Sequence, residues 1–281
     1  MNSIHIVTDS TCDIPPDLAE RWNIQIVPCY VNFGTQSFLD GVNLSREEFY
    51  RRLATQAEQP TTAAPPPGIF ADAYRLALPG ASGVISLHPP DHLSALRQVA
   101  ANGWELTGST LPYRALDAGQ ISMGLGWITI ELARAAAAGA DMHSLENLLA
   151  QLRRRVHLEA ALSTVEYLRR SGRVGWARGA IGRLLRVRPI LHIYQGEIQN
   201  AGFTRTQSSA NQRLRDDLNN LGQLEGLVLL HTDAAELVGQ LQTMLEPLNL
   251  PEPTLHINAT PILGSHVGPG ALGFVAIQAA S

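Results

Sequence analysis

Ile4-His5-Ile6-Val7-Thr8-Asp9-Ser10-Thr11, continued by Pro15 through Trp22 and by Ile24-Gln25-Ile26-Val27, reads as strand, polar turn, helix and strand. The pattern repeats along the first half. Ser45-Arg46-Glu47-Glu48 matches a capping box, the serine accepting from the third helical N–H and Glu48 reaching back, which predicts a helix over Phe49 to Ala57. Gly83-Val84-Ile85-Ser86-Leu87 has the apolar density of a buried strand, and Ser94 to Asn102 that of a helix. Tyr113-Arg114-Ala115-Leu116-Asp117 leads into a helix from Ser122 to about Ala138, ended by Gly139. Alternation of this kind favours a parallel sheet covered by helices on both faces.

After Arg153-Arg154-Arg155 the character changes. Strand-like runs occur at Pro189-Ile190-Leu191-His192-Ile193 and Gly226-Leu227-Val228-Leu229-Leu230, with a helix near Asp233 to Leu245. The expected fold class is therefore α/β, with two α/β domains at residues 1–157 and 158–281 and a mostly parallel sheet in the first. In the tail, Thr254 to Ala259 and Phe274 to Ile277 read as strands flanking Gly264-Ser265-His266-Val267-Gly268-Pro269-Gly270-Ala271-Leu272-Gly273. His266 is expected where a strand ends and a bare-backbone loop begins, a place where N–H groups can gather around an anion. A plain hairpin with a turn-bonded histidine is the other reading. Gln59 to Gly68 is too proline-rich for a helix or central strand and reads as an ordered loop holding Thr61 and Thr62 extended.

Composition excludes several classes. All 21 basic residues are arginine, so neither a phosphate-binding P-loop lysine nor a Schiff-base lysine exists. The net charge of −4 argues against a general nucleic-acid binder. Cys12 and Cys29 are too few for a disulfide framework or zinc cluster. His88-Pro89-Pro90-Asp91-His92 offers two imidazoles and a carboxylate, but its prolines prevent helical presentation and no further ligands accompany them, so no metal is expected. No secretory leader and no apolar run of ~18 residues is found, so a soluble cytoplasmic protein without an integral membrane segment is expected.

Five motifs in order, Thr8-Asp9-Ser10-Thr11, Pro60-Thr61-Thr62, Ser122-Met123-Gly124-Leu125-Gly126, Glu166-Tyr167-Leu168 through Ser171-Gly172-Arg173-Val174-Gly175, and His266 through Gly273, span nearly the whole chain. Together they resemble the DegV family of fatty-acid-binding proteins. The resemblance implies two α/β domains holding one long-chain fatty acid between them, no cofactor and no catalysis by the protein itself. It further implies a role in lipid transport or fatty acid metabolism, with the carboxyl group presented to a separate fatty acid kinase.

By position, the resemblance assigns the carboxylate to Thr62, Ser94 and His266, and makes Arg173 a possible contact for a head group or added phosphate. Elementary chemistry supports the set. Ser94 precedes an apolar-periodic helix and reads as an N-cap, where free N–H groups and the helix dipole favour an anion. A buried carboxylate needs further hydrogen bonds, which a hydroxyl and an imidazole supply. Ile262, Leu263 and Phe274 are candidate tail contacts, and each is equally well explained as ordinary core.

The chain departs from the family at Ala63-Ala64, where Ser-Gln is usual, and at Ser94-Ala95-Leu96-Arg97, where Ser-Gly-Thr-Tyr is usual. Arg169, Arg170, Arg173, Arg178, Arg183, Arg186 and Arg188 form a run without acids that reads as a solvated basic face. The resemblance implies a docking surface for the kinase, and a nucleic-acid role is the alternative, against which the net charge and the lack of interleaved aromatics count. A serine hydrolase or acyltransferase using Ser94 and His266 is the alternative, although no Gly-x-Ser-x-Gly elbow is present.

Overall fold

The computed structural model describes residues 3–56, 58–178, 187–248, 251 and 255–280. Among the described residues, seven strands precede residue 120: β1 (Ser3–Asp9), β2 (Gln25–Val27), β3 (Tyr30–Phe33), β4 (Gln36–Leu39), β5 (Thr61–Ala63), β6 (Ala81–His88) and β7 (Tyr113–Asp117). Six follow: β8 (Val156–Ala161), β9 (Arg188–Tyr194), β10 (Glu197–Thr204), β11 (Leu224–His231), β12 (Leu255–Asn258) and β13 (Leu272–Gln278).

The strand and helix alternation at the N-terminus gives the parallel sheet it implies, four strands in the order β2-β1-β6-β7. Its central strands β1 and β6 are apolar and buried along most of their length, as a sheet covered on both faces requires. A three-stranded antiparallel sheet, β4-β3-β5, stands beside it and was not anticipated from the sequence. Thr61 and Thr62 are extended as expected, but they form β5, a short edge strand, rather than a loop. An edge tolerates the flanking prolines, and Pro67 opens the helix Pro67–Ala77, where its missing N–H costs nothing.

The later strands form one mixed sheet, β10-β9-β8-β13-β11-β12, in which only β11 and β12 run parallel. Between the two large sheets lies the helix Ser122–Ala137. Met123, Leu125, Ile128 and Leu132 are each 0% exposed, so the first half of the helix is buried, while Arg134 and Ala137 near its end reach the surface. They join Ile6, Ile85 and Leu87 of the parallel sheet to Leu158, Val228 and Val275 of the mixed sheet in one continuous core. Gly126 is required here, since a side chain would collide with the Cys12 carbonyl.

Two local expectations are corrected. Ser45 does cap its helix, accepting from the Glu48 N–H at 3.2 Å, but Glu48 does not reach back. Its carboxylate is held by Arg51 and Arg52 along the helix Arg46–Thr55, where two guanidinium partners outweigh one backbone N–H; Ala57 lies outside the described residues. In the tail, β12 and β13 do not form a hairpin, because β11 lies between them. Nor does His266 stand in a loop: Pro261–Val267 is a helix, with Pro261 in its first turn and Gly268 at its C-cap. Thr254 lies outside the described residues.

Candidate functional site

A cavity of about 170 Å³ opens between the mixed sheet and the loops that follow the parallel strands. Its floor follows from strand periodicity. Along β8, Leu158 and Ala160 point to the cavity, and neighbouring strands add Leu191, Ile193 and Ile198. One row across the sheet reads Leu191, Ala160, Gly273, Leu230, two bulky walls around two minimal residues, so the sheet itself forms a trough. Gly273 cannot carry a Cβ, which would stand 2.3 Å from the Glu159 carbonyl oxygen. Ile262 and Leu263 line the same space as expected, but Phe274 does not. It is fully buried on the opposite face, in the core beneath the helices Gln207–Asn220 and Ala235–Leu245, because adjacent strand positions face opposite ways.

Thr62, Ser94, His266 and Arg173 all line this cavity, although they come from an edge strand, a bend, a short helix and the segment after the helix Glu166–Ser171. Thr62 Oγ1 and His266 Nε2 lie 3.0 Å apart. Arg173 donates from Nε to the carbonyl of Leu93 at 3.2 Å, which fixes its guanidinium beside Ser94. Ser94 is not the N-cap. The helix Leu96–Glu105 starts two residues later with Ala95 at its cap, because Leu93 and Ser94 are drawn into a turn on the Pro90 carbonyl. The Ser94 hydroxyl still accepts from the Leu96 N–H at 3.3 Å, so it remains at the helix entrance.

Burial and the nearby Arg173 charge push the His266 imidazole down to about 3, so the ring is neutral at physiological pH. A depressed histidine favours the folded state while neutral; as the pH falls from about 6.5 towards 3, the unfolded chain takes up the proton first and this contribution is lost. The expected result of a ring-proton NMR titration is no His266 protonation above pH 5 in the free protein. A bound carboxylate, by stabilising the imidazolium, should move that transition upward, and an unmoved transition would place the anion elsewhere.

The hydrogen bonds do not assemble a Ser94–His266 pair, since His266 Nε2 faces Thr62. A serine, histidine and aspartate do meet elsewhere. His88 Nδ1 is 2.7 Å from Asp9 Oδ2 and its Nε2 is 2.7 Å from Ser86 Oγ, but all three residues are 0% exposed and Tyr74 also donates to Ser86. This buried network braces β1 against β6, and Asp9 in turn accepts from the N–H and hydroxyl of Thr11, which lines the cavity. Of the stretch His88 to His92, His88 is buried in this network and Asp91 pairs with Arg97. Among the described arginines of the basic run, Arg169 and Arg170 pair with Glu166, whereas Arg173 has no carboxylate partner. The Arg178 side chain, Arg183 and Arg186 lie outside the described residues.

One residue that supports the site escaped the sequence reading. Asp13 is buried in the left-handed region at φ 57° and accepts from the Ser122 hydroxyl at 2.5 Å and the Thr260 N–H at 2.7 Å. It ties the first turn of the chain to the central helix and to the residue before the helix that carries His266. The signal was a second aspartate only four positions after Asp9, within one polar turn.

Residues 3–279 match the profile of the DegV family, described as uncharacterised. DegV domain-containing proteins of Mycobacterium tuberculosis and Streptomyces coelicolor are 31% and 32% identical over 278 and 279 residues, covering 96% and 97% of this chain and the same shares of their own. A Thermus thermophilus DegV family protein, described as fatty acid binding, superimposes with a TM-score of 0.90 at 29% identity, over 99% of this chain and 100% of that one. DegV of Bacillus subtilis, described as a fatty acid binding protein, shares the fold with a TM-score of 0.84 at 23% identity, over 99% of this chain and 100% of its own.

Proposed function

The chain belongs to the DegV family, and on that premise we propose that it binds one long-chain fatty acid in the cavity without chemically altering it. The carboxylate lies at Thr62, Ser94 and His266, with Arg173 at the exposed end, and the tail runs along the trough of the mixed sheet. The observation that carries this reading is the division of one cavity into an apolar floor and a polar group built around the 3.0 Å Thr62–His266 contact. Fatty acid binding described for the Thermus thermophilus relative supports it. The tail supplies the affinity: burying ~15 methylenes at about 0.8 kcal/mol each gives roughly 12 kcal/mol before the costs of association. The polar group supplies orientation.

Two finer parts of the proposal follow. The ligand sits between two domains divided near residue 157, each built around one of the large sheets. Arg173, with no carboxylate to neutralise it, is suited to steady extra negative charge on the carboxyl group when a fatty acid kinase acts on it.

The direct test is mass spectrometry of an organic extract of the purified protein, quantified against protein and against an unrelated control. Near-stoichiometric long-chain acid is expected; absence of co-purified acid together with no binding of added acid would refute the reading. For the head group, Thr62→Val and His266→Ala should each weaken binding about 10- to 100-fold, the worth of a hydrogen bond to a charged group, with the thermal melt nearly unchanged. Equal affinity in both variants would remove the carboxylate from this end.

A further inference from the structure

The strand that floors the acyl cavity presents ionisable groups on its other face. There, His157, Glu159, His192, Arg213, Asp217 and Leu221 surround a second cavity of about 230 Å³. Glu159 is 6% exposed, and its Oε1 has no hydrogen-bond partner in the protein. A buried carboxyl oxygen left unpaired is costly, so its retention points to an occupant.

The surrounding hydrogen bonds say what kind. Gln278 donates its amide to the Leu221 carbonyl, so its Oε1 must accept from His157 Nε2, 3.0 Å away. That leaves His157 Nδ1 bare to accept from His192 Nε2 at 3.4 Å, on a ring stacked at 9° to its own. His192 Nδ1 is then a second bare acceptor. Burial keeps both imidazoles neutral. Arg213 pairs with Asp217 through Nε and donates to the Ala201 carbonyl through one terminal nitrogen. Burial and the adjacent Asp217 push the Glu159 carboxyl up to about 9, so it holds a proton at neutral pH despite Arg213. Glu159 Oε1 and His192 Nδ1 are thus acceptors with no assigned donor, and the cluster is neutral only while Glu159 keeps its proton.

We propose that this second cavity is a binding site for a small organic cation of the ammonium or guanidinium class, which displaces the Glu159 proton to solvent and takes its place between Glu159, Asp217 and His192. The exchange conserves charge, one monocation entering as one proton leaves. An anion would have to lie against the Asp217 carboxylate that Arg213 already neutralises.

Isothermal titration of the full chain at pH 7.5 with ethylammonium chloride, guanidinium chloride and, separately, sodium phosphate tests this in two buffers of different ionisation enthalpy. Saturable binding of at least one cation at millimolar concentration is expected, with release of up to one proton. Glu159→Gln should weaken it at least tenfold and abolish the proton release while leaving the thermal melt within a few degrees. No saturable heat with either cation, binding of phosphate instead, or unchanged cation binding with unchanged proton release in Glu159→Gln would each overturn the proposal.

Discussion

Ala160→Phe should abolish binding of sixteen- and eighteen-carbon acids while sparing much of the affinity for an eight-carbon acid. Ala160 lies in the middle of the trough, paired with Gly273 on one side and Leu191 on the other, and is only half-buried because it faces the cavity. A phenyl ring there projects into the ligand's space rather than into packed protein, so the fold should tolerate it. If it blocks half of a ~15-methylene tail, about 6 kcal/mol of gross burial is lost, roughly a factor of 10⁴ in affinity. Displacement of a fluorescent fatty acid by each chain length reads this directly. Full retention of long-chain affinity would mean that the tail does not cross the sheet at this row.

Gly268→Ala should destabilise the protein by about 3–5 kcal/mol. Gly268 caps the His266 helix with φ 76° and ψ 178°, a region open essentially to glycine alone. An added Cβ would also lie 2.3 Å from the Tyr167 ring, whose helix Glu166–Ser171 packs against the His266 helix. Strain and overpacking therefore add. Urea titration followed by tryptophan fluorescence gives the comparison, with Gly175→Ala as the control, since nothing stands within 4 Å of its added Cβ. Equal midpoints would show that Tyr167 moves aside at little cost.

The parallel sheet was legible because β1, β2 and β6 are short apolar runs with polar punctuation, a signal that depends on neighbours in sequence. The site was legible in membership but not in geometry. Thr62 and His266 are 204 positions apart, and no local pattern states that their side chains meet. The tail misled because its glycines do different jobs. Gly268 and Gly270 take positive φ and do turn the chain. Gly264, in contrast, sits inside a helix and lets Phe49 and Tyr50 approach, and Gly273 sits inside β13 and clears the β8 backbone. Glycines that make room for neighbours look in sequence like glycines that bend the chain. Ser94 was displaced from its cap by a turn that Pro90 organises through its carbonyl, an acceptor that hydrophobic periodicity does not record.

β8 alternates between Leu158 and Ala160 on one face and His157 and Glu159 on the other. A one-residue slip of β8 against β13 and β9 would reverse every one of these directions at once, turning carboxyl and imidazole groups toward the lipid-sized space and leucine toward the polar one. The pairing register of β8 is thus held by two chambers together, one on each face of the sheet.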